Sequence, residues 1–391
     1  MAKLIEIIGT VLSGEWGTDD ETGDGIPVLR TTNFTNEGVV NYNNLVTRII
    51  TKKNIEEKYL RKGDIIIEKS GGSDKFPVGR VIYFDGEDNT YLFNNFTGLL
   101  RVKDQELWYP RYVFYSLFAN YKRGGTRAFE NKTTGLHNLK IDDYVSRYEV
   151  VEIGVTEQVL ICDKLDKLYE IIKLRKQEIQ LLDDLIKARF VEMFGDFRTN
   201  EKGWKIKTFT ELSYLITDGE HATPRRSSEG IYLLSARNIL NHYLQLEDVD
   251  YIDQEEYDRI AKRVIPQEGD ILISCSGTVG RCCSVPANLK FQMVRSAALI
   301  RFKEEITPIF AEYMITSNYL QEQINRSKTA SSQANLFQGK IKELKGFIPP
   351  LELQNQFADF VKQVDKSKVA VQKSLDETQK LFDALMQKYF G

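Results

Sequence analysis

The sequence predicts an α+β protein built from two tandem α/β domains, each of which ends in one long helix. Two observations lead to this prediction. Sequence blocks of the first half recur in the same order in the second half, and each half closes with a sustained heptad pattern of apolar residues. The period, near 200 residues, greatly exceeds the roughly 20 to 50 residues of a solenoid repeat. Each repeat is therefore a whole domain.

The duplication rests on four pairs of matched blocks. Their spacing is nearly constant, since Asn33 corresponds to Asn238 and the Gly63-Asp64 pair corresponds to Gly269-Asp270. Chance similarity between two unrelated halves would not keep this order, so we interpret the chain as a tandem duplication. The matched blocks are 25–33 with 230–238, 63–70 with 269–276, 134–139 with 331–336, and 183–190 with 383–390.

Within each repeat, short segments rich in Ile, Val, Leu, Tyr and Phe are bounded by Gly, Asn, Asp and Pro, which is typical of strands joined by turns. The segments 108–121 and 309–326 are predicted to be helices packed against these strands. The predicted strands are 26–33, 63–68, 78–84 and 91–102 in the first repeat, and 231–238, 269–275, 279–285 and 292–302 in the second.

Each repeat is predicted to end in a helix whose apolar positions alternate in steps of four and three, the pattern of a helix that pairs with another helix. Packing of each helix on its own domain is the alternative, but the strips are narrow, long and duplicated. Roughly 40 residues at about 1.5 Å each give a rod of about 60 Å, enough for a spacer between domains. The predicted seam consists of Ile161, Leu165, Leu168, Ile172, Ile179, Leu182, Ile186, Val361, Val364, Val371, Leu375, Phe382 and Leu385.

These patterns divide the chain into four parts. The predicted domains are residues 1–152 and 198–347, and the predicted long helices are residues 153–197 and 348–391. Val150 to Val155 precede the first helix where Pro349-Pro350 precede the second, so the two helix starts differ in sequence.

Composition sets wide limits on function. The chain of 391 residues is 42% hydrophobic and 28% charged, with a net charge of −3, which is ordinary for a globular protein. This charge neither requires nor excludes a nucleic-acid partner, because counterion release depends on local Lys and Arg placement. No apolar run approaches the roughly 18 to 20 residues of a membrane span, and no leader pattern opens the chain, so a cytoplasmic location is expected.

The four cysteines are Cys162, Cys275, Cys282 and Cys283, and none forms a Cys-x-x-Cys pair. Zinc ligation needs paired ligands at defined spacing. We therefore expect reduced, structural thiols and not a zinc site or disulfides.

Two segments resemble a known family. The block 190–196, a polar linker and then Gly203-Trp204 resemble the junction after the central conserved helix of type I restriction-modification specificity (S) subunits, and the segment 348–354 resembles the second conserved region of that family. Together with the Gly-Asp strand and the Asn-Leu turn in each half, the resemblance covers the whole chain.

The resemblance implies two target-recognition domains joined by two long antiparallel coiled-coil helices with pseudo-two-fold symmetry. Such a subunit reads a bipartite, asymmetric site on double-stranded DNA and has no catalytic centre. Its implied partners are two methyltransferase (modification) subunits, which methylate adenine with S-adenosylmethionine, and motor-nuclease (restriction) subunits, which use ATP and Mg. The resemblance implies no cofactor or metal in this chain itself.

Candidate DNA-binding residues lie in polar, turn-rich loops, because base edges and phosphates are contacted by Arg, Lys, Asn, Gln, Ser and Thr. One loop per repeat follows the Gly-Asp strand, and a second covers 122–138 or 326–335. A solvated loop side chain is the alternative for each residue, and Arg30 or Arg237 could equally belong to a structural turn. The candidates are Arg30, Lys69, Ser70, Lys75, Arg80, Arg123, Arg127, Lys132, Thr133, Thr134, His137, Asn138, Arg225, Arg226, Arg237, Ser276, Thr278, Arg281, Arg326, Lys328, Ser331, Ser332, Gln333 and Asn335.

No catalytic motif stands out. The chain has no phosphate-binding glycine motif and no Pro-Pro-Tyr methyltransferase motif. Asp64, Glu68 and Lys69 superficially suggest a metal-dependent nuclease, but Ser274 and Cys275 replace the last two in the second repeat. Two alternatives stay open at this point: a divergent nuclease with duplicated DNA-binding modules, and a helical scaffold for protein partners that binds no DNA.

Overall fold

The computed structural model describes residues 1–133, 136–327 and 335–391, which divide into two compact units. Unit 1 comprises residues 1–176 and 373–391, and unit 2 comprises residues 177–372. Each unit thus holds one α/β domain together with a part of both long helices.

Unit 1 is built from the elements of the first repeat. Its helices are α1 (Leu4–Ile8), α2 (Pro110–Lys122), α3 (Ile141–Arg147) and the first part of the long helix α4 (Val155–Phe194). Its strands are β1 (Ala2–Lys3), β2 (Leu12–Ser13), β3 (Thr18–Asp19), β4 (Ile26–Leu29), β5 (Val46–Ile49), β6 (Ile65–Glu68), β7 (Val81–Tyr83), β8 (Leu92–Phe93), β9 (Thr97–Leu100), β10 (Glu130–Thr133), β11 (Leu136–Leu139) and β12 (Glu149–Val150).

Two four-stranded sheets form the body of unit 1. One has the strand order β2-β9-β6-β7 and is antiparallel, whereas the other has the order β3-β5-β4-β8 and contains one parallel pair, β4 with β8. Ile66, Phe84, Phe93 and Leu99 are fully buried in one apolar cluster of this unit. Strand β6 is buried along its whole length, which explains its apolar run from Ile65 to Ile67.

Unit 2 is built from the elements of the second repeat. Its helices are α5 (Phe209–Leu212), α6 (Gln254–Ala261), α7 (Pro308–Thr316), α8 (Asn318–Ser327), α9 (Gln338–Glu343) and the first part of the long helix α10 (Leu351–Phe390). Its strands are β13 (Lys205–Thr208), β14 (Ser213–Asp218), β15 (Ile231–Leu234), β16 (Ile239–Leu240), β17 (Tyr243–Leu244), β18 (Asp250–Ile252), β19 (Ile271–Ser274), β20 (Cys282–Ser284), β21 (Phe291–Met293), β22 (Ala297–Phe302) and β23 (Lys345–Ile348).

The sheets of unit 2 repeat those of unit 1. The order β14-β22-β19-β20 corresponds to β2-β9-β6-β7, and the order β18-β15-β21 corresponds to β5-β4-β8. The parallel pair recurs as β15 with β21. The predicted tandem α+β fold class is therefore confirmed at the level of strand order.

The recurring Gly-Asp pair has a structural cause in both units. Asp64 is buried and receives two hydrogen bonds from Arg101, at 2.7 and 2.6 Å. In unit 2, Asp270 is equally buried and receives two from Arg301, both at 2.7 Å. A bidentate pair of this kind fixes one strand against the next. The carboxylate of Asp64 thus has a structural role in this ion pair, which argues against the alternative that it binds a metal ion in a nuclease site.

The long helices run antiparallel to each other in unit 2, and they are also in contact in unit 1. In unit 2, Asp183 pairs with Lys368 at 2.5 Å, and further along α4 the ring of Phe190 lies 5.3 Å from that of Phe357. In unit 1, Arg175 donates a hydrogen bond to the carbonyl oxygen of Ser374 at 2.6 Å. All thirteen predicted seam residues are buried or half-buried.

Some boundaries differ from the sequence-based expectation. Helix α4 ends at Phe194 because Gly195 adopts a left-handed conformation, with φ of 79°. The predicted helix 309–326 is two helices, since Ser317 is extended and its hydroxyl donates to the carbonyl of Met314. Helix α6 and the hairpin β10–β11 were not predicted. Among the described residues, no helix combines the length and apolar character needed to cross a membrane.

Candidate nucleic-acid interface

The two predicted DNA-facing loops of the first repeat lie side by side in unit 1. Ser70, just after β6, forms an antiparallel bridge with Asn138 of β11. Next to this bridge, the backbone N–H of Leu139 donates to the carbonyl oxygen of Lys69 at 2.8 Å. The loop after the Gly-Asp strand and the hairpin β10–β11 therefore form one continuous surface.

The same arrangement recurs in unit 2. Ser276 forms an antiparallel bridge with Asn335. The backbone N–H of Leu336 donates to the carbonyl oxygen of Cys275 at 2.8 Å. The Asn-Leu turn that recurs in the sequence is thus the point at which the second loop of each repeat joins the first.

A third turn, which the sequence analysis missed, completes each surface. In unit 1 the backbone N–H of Lys69 donates to the carbonyl oxygen of Phe96 at 2.8 Å, and in unit 2 that of Cys275 donates to Ser296 at 2.7 Å. The only available signal was the Asn, Arg and Ser content of these turns. We call residues 69–80, 94–97 and 136–138 loop cluster 1, and residues 275–281, 294–296 and 335 loop cluster 2.

Arg80 is anchored within unit 1. Its guanidinium donates to the carbonyl oxygens of Phe34 at 3.0 Å and Thr31 at 2.9 Å, and it lies 3.4 Å from the carboxylate of Glu68. Burial raises the pKa of Glu68, although the charge of Arg80 acts to lower it. Arg80 therefore balances a buried acid, which limits its freedom to reach DNA.

Loop cluster 2 differs at the corresponding position. Ser274 replaces Glu68, and its hydroxyl donates to the carbonyl oxygen of Thr278 at 2.7 Å. The half-buried guanidinium of Arg281 makes no hydrogen bond or ion pair with any residue that the structure describes. Ser276 is half-buried and Thr278 is exposed. Arg295 is exposed, and its guanidinium also has no partner among the described residues, so Arg281 and Arg295 are the two cations of loop cluster 2 that are placed to bind an external anion.

The other basic residues in or beside loop cluster 1 have distinct environments. Arg127 donates to the carbonyl oxygens of Asp74 at 3.2 Å and Lys75 at 3.3 Å, so its guanidinium stabilises the backbone of the loop 69–80. Lys69 donates to the hydroxyl of Ser13 at 2.9 Å, and burial lowers the pKa of its ammonium group. Lys75 is exposed. Lys75 is therefore the cation of this loop that is open to phosphate.

His137 supports the hairpin from within. Its side chain is buried, and its Nδ1 lies 3.1 Å from a carboxylate oxygen of Glu130. The other oxygen of that carboxylate accepts a hydrogen bond from the backbone N–H of Val78 at 3.0 Å. Lys132 and Thr133 lie in β10. Thr134 lies outside the described residues.

The turns that follow β4 and β15 are held by buried asparagines. The Asn33 amide accepts from the backbone N–H of Arg30 at 3.0 Å, and the Asn238 amide accepts from that of Ser235 at 2.9 Å. Arg30 itself donates to the carbonyl oxygen of Asn44 at 2.8 Å, while Arg237 pairs with Asp250 at 3.2 Å. Both arginines thus have partners within their own units.

Several further candidates are not among the residues of the loop clusters. Arg123, at the end of α2, donates to the carbonyl oxygen of Phe390. Arg225 pairs with Glu255 at 2.9 Å, and Arg226 pairs with Asp250. Arg326 is exposed on α8 and lies 3.7 Å from Glu322. The candidates outside the described residues are Lys328, Ser331, Ser332 and Gln333.

The described parts of these surfaces hold no metal centre. Within residues 1–133, 136–327 and 335–391, no group of three or more His, Cys, Asp or Glu side chains has the geometry to hold a metal ion. All four cysteines are free and buried, and burial raises the pKa of each thiol. The polar and basic side chains of the loop clusters suit recognition of a polyanion.

Comparison with known proteins gives consistent matches. A family model, the type I restriction modification DNA specificity domain, matches residues 8–183 and 201–379, one match per repeat. The putative type I restriction enzyme MjaX specificity subunit of Methanocaldococcus jannaschii is 24% identical over 195 residues. That alignment covers 48% of this chain and 45% of the relative, so it spans about half of either protein.

Solved structures match along the whole chain. The S subunit of a type I restriction-modification system from M. genitalium is 15% identical, with a TM-score of 0.58, and the match covers 100% of this chain and 95% of that one. A second structure, from work on complex assembly and conformational transition of the type I R-M system, is also 15% identical with a TM-score of 0.58, covering 100% and 96%. At such identity these matches establish the fold alone.

Proposed function

We propose, from the premise that this chain belongs to the type I restriction-modification DNA specificity family, that each of its two domains reads one half of a bipartite, asymmetric DNA site. The observation that carries the proposal is the duplicated loop cluster. In both units three loops meet through equivalent backbone contacts, at Ser70 with Asn138 and at Ser276 with Asn335. Two copies of one frame suit two separate half-sites.

The half-sites differ because the side chains within the shared frame differ. Glu68 and the anchored Arg80 at loop cluster 1 are replaced at loop cluster 2 by Ser274 and by Arg281, whose guanidinium has no partner among the residues that the structure describes. Donor and acceptor patterns of side chains determine which base edges fit in the major groove. Different patterns in one frame favour different base sequences, and hence an asymmetric target.

Methyltransferase subunits are the proposed partners of the long helices. In unit 1, helix α4 exposes Leu160 and Leu174, and in unit 2 it exposes Leu181, Leu185 and Val191. Apolar side chains that recur along a helix on a face other than its seam favour docking of another protein. S-adenosylmethionine belongs to those subunits in this proposal, whereas ATP and Mg belong to motor-nuclease subunits.

The chain itself is proposed to be non-catalytic. The acidic residues that first suggested a nuclease, Asp64 and Glu68, are each held by an arginine, Arg101 and Arg80. A nuclease carboxylate must be open to a metal ion and to DNA. Both carboxylates are instead buried, which favours a structural role.

Methylome sequencing after co-expression with the cognate methyltransferase subunit tests this function. We expect adenine methylation at one bipartite sequence whose halves differ. A hybrid in which residues 1–150 are replaced by the corresponding module of another specificity subunit should change one half-site and leave the other intact. Alteration of both halves in such a hybrid would contradict modular reading.

A further inference from the structure

We propose that Phe76, Phe96 and Phe337 read the DNA target by apolar contact with thymine methyl groups, an inference that rests on the DNA-reading function proposed above. The chain has 21 phenylalanines, and all lie within the described residues. These three are exposed by 53%, 52% and 61%, respectively. Every other phenylalanine is buried or partly buried.

The two exposed phenylalanines of unit 1 lie in loop cluster 1. The carbonyl oxygen of Phe96 accepts hydrogen bonds from the backbone N–H groups of Lys69 at 2.8 Å and Ser70 at 3.3 Å. The carbonyl oxygen of Phe76 accepts one from the N–H of Ser73 at 2.6 Å. Their backbones are thus tied into the loops while their rings face outward.

Phe337 lies in unit 2, next to the point where two loops of that unit join. It directly follows Leu336, whose backbone N–H donates to the carbonyl oxygen of Cys275 at 2.8 Å. Asn335, two residues before it, forms the bridge with Ser276. Phe337 therefore borders loop cluster 2.

The placement, and not the exposure alone, carries the inference. Single exposed apolar residues are common on protein surfaces and need no explanation. Here, however, all exposed phenylalanines of the chain lie in or beside the two loop clusters that we assign to DNA. When a ligand covers an aromatic ring that is held outward at a recognition surface, the burial of the ring stabilises the complex.

The chemistry of DNA identifies what these rings contact. The edges of the bases in the major groove are hydrogen-bonding groups, with the 5-methyl group of thymine as the apolar exception. Lys75 lies beside one ring, with its Nζ 5.4 Å from the centre of Phe76, where it can hold a neighbouring phosphate. We assign Phe76 and Phe96 to thymines of one half-site and Phe337 to a thymine of the other.

The test uses the chain assembled with its methyltransferase subunits and a duplex that carries the methylated target. In two further duplexes, uracil replaces every thymine of one half-site, which removes only methyl groups. We expect uracil in the half-site read by unit 1 to weaken binding about tenfold, equivalent to about 1.4 kcal/mol. The F76A and F96A variants should bind the thymine duplex about tenfold more weakly and respond less to uracil there.

F337A should show this behaviour for the other half-site only. L107A is the matched control, because Leu107 is also more than half exposed but lies outside the loop clusters, just before α2, and it should bind as the unmodified chain does. F76L and F96L, with unchanged unfolding midpoints, should retain more affinity than the alanine variants.

Three results would overturn the inference. First, the phenylalanine variants could bind the thymine duplex as tightly as the unmodified chain does. Second, uracil could weaken DNA binding by the unmodified chain and by the variants equally. Third, in a duplex that carries 2-aminopurine in the target, binding could raise the fluorescence, and F76A could abolish this rise. The ring of Phe76 would then insert between stacked bases instead of contacting a methyl group. Failure of the unmodified complex to distinguish the target from a scrambled duplex would instead contradict the proposed function itself.

Discussion

The side-chain amide of Gln158, near the start of α4, accepts a hydrogen bond from the backbone N–H of Tyr109 at 2.8 Å. In the second repeat, Gln354 accepts one from the N–H of Thr307 at 2.9 Å. Each amide also donates to two carbonyl oxygens, and both glutamines are fully buried. A single side chain thus ties the start of each long helix to the residue that precedes a domain helix.

Replacement of either buried glutamine by alanine should destabilise its unit. In Q158A, the N–H of Tyr109 loses its acceptor inside the protein, which costs about 1–3 kcal/mol. Q354A should show a similar loss in the free energy of unfolding, measured by urea titration. Q180A is the control, since Gln180 is exposed on the same helix and, among the described residues, its side chain bonds only to Asp184. Equal stability of Q158A and Q180A would contradict the proposed tie.

The Gly-Asp carboxylates should prove structural in both repeats. D64N and D270N each remove the charge that Arg101 or Arg301 needs, and we expect each to lower the free energy of unfolding by about 3–5 kcal/mol. D24N, at an exposed site, should change it little. If the chain were instead a nuclease with a site in the first repeat only, D64N would abolish Mg-dependent DNA cleavage and D270N would not. A cleavage assay with the purified chain distinguishes the two cases.

Two faces of α4 in unit 2 should respond differently to a charge. Ile186 is fully buried in the core cluster, whereas Leu181 is 67% exposed. I186D should destabilise the unit by about 4 kcal/mol or more, because it buries an unpaired carboxylate. L181D should leave the unfolding midpoint unchanged but weaken co-purification with the methyltransferase subunit. Full assembly by L181D would argue that partners do not use this face.

The two loop-cluster arginines should separate stability from binding. R281A should weaken binding to the half-site read by unit 2 by about 1–3 kcal/mol, with no change in unfolding, because this guanidinium has no partner among the described residues. R80A should instead lower stability, since it removes the charge that lies 3.4 Å from buried Glu68. Gel-shift titration and thermal unfolding of both variants measure the difference. Loss of stability in R281A would refute its assignment as a free cation.

The buried thiols should resist alkylation in the folded chain. Burial disfavours the thiolate and raises the pKa of Cys275 to about 12; it also raises the pKa of Cys282 well above its ordinary value. The thiolate is the reactive form, so iodoacetamide at pH 8 should label neither residue until urea unfolds the protein. Mass spectrometry of the peptides reports the labelling. Rapid labelling of folded protein at pH 8 would contradict the burial.

Much of the fold was predictable because duplication makes each repeat a check on the other. The segments around Gly63-Asp64 and Gly269-Asp270 were predicted as strands from their apolar runs, and β6 and β19 lie there. The helix 309–326 was predicted without its break, because Ser317 alone gives little local signal. The turn at Phe96 was missed, since its role depends on a hydrogen bond to Lys69, 27 positions earlier in the chain.

The sequence by itself determined the tandem fold and the pairing of the long helices. Heptad periodicity and strand propensity are local properties of the sequence, and both patterns occur in each of the two repeats. Only the tertiary structure decided which candidate side chains share a surface. Arg123 and Arg80 are both basic loop-type residues in sequence, yet one bonds to Phe390 and the other to the turn at Thr31. Such assignments depend on contacts between residues distant along the chain, and one sequence does not specify those distances.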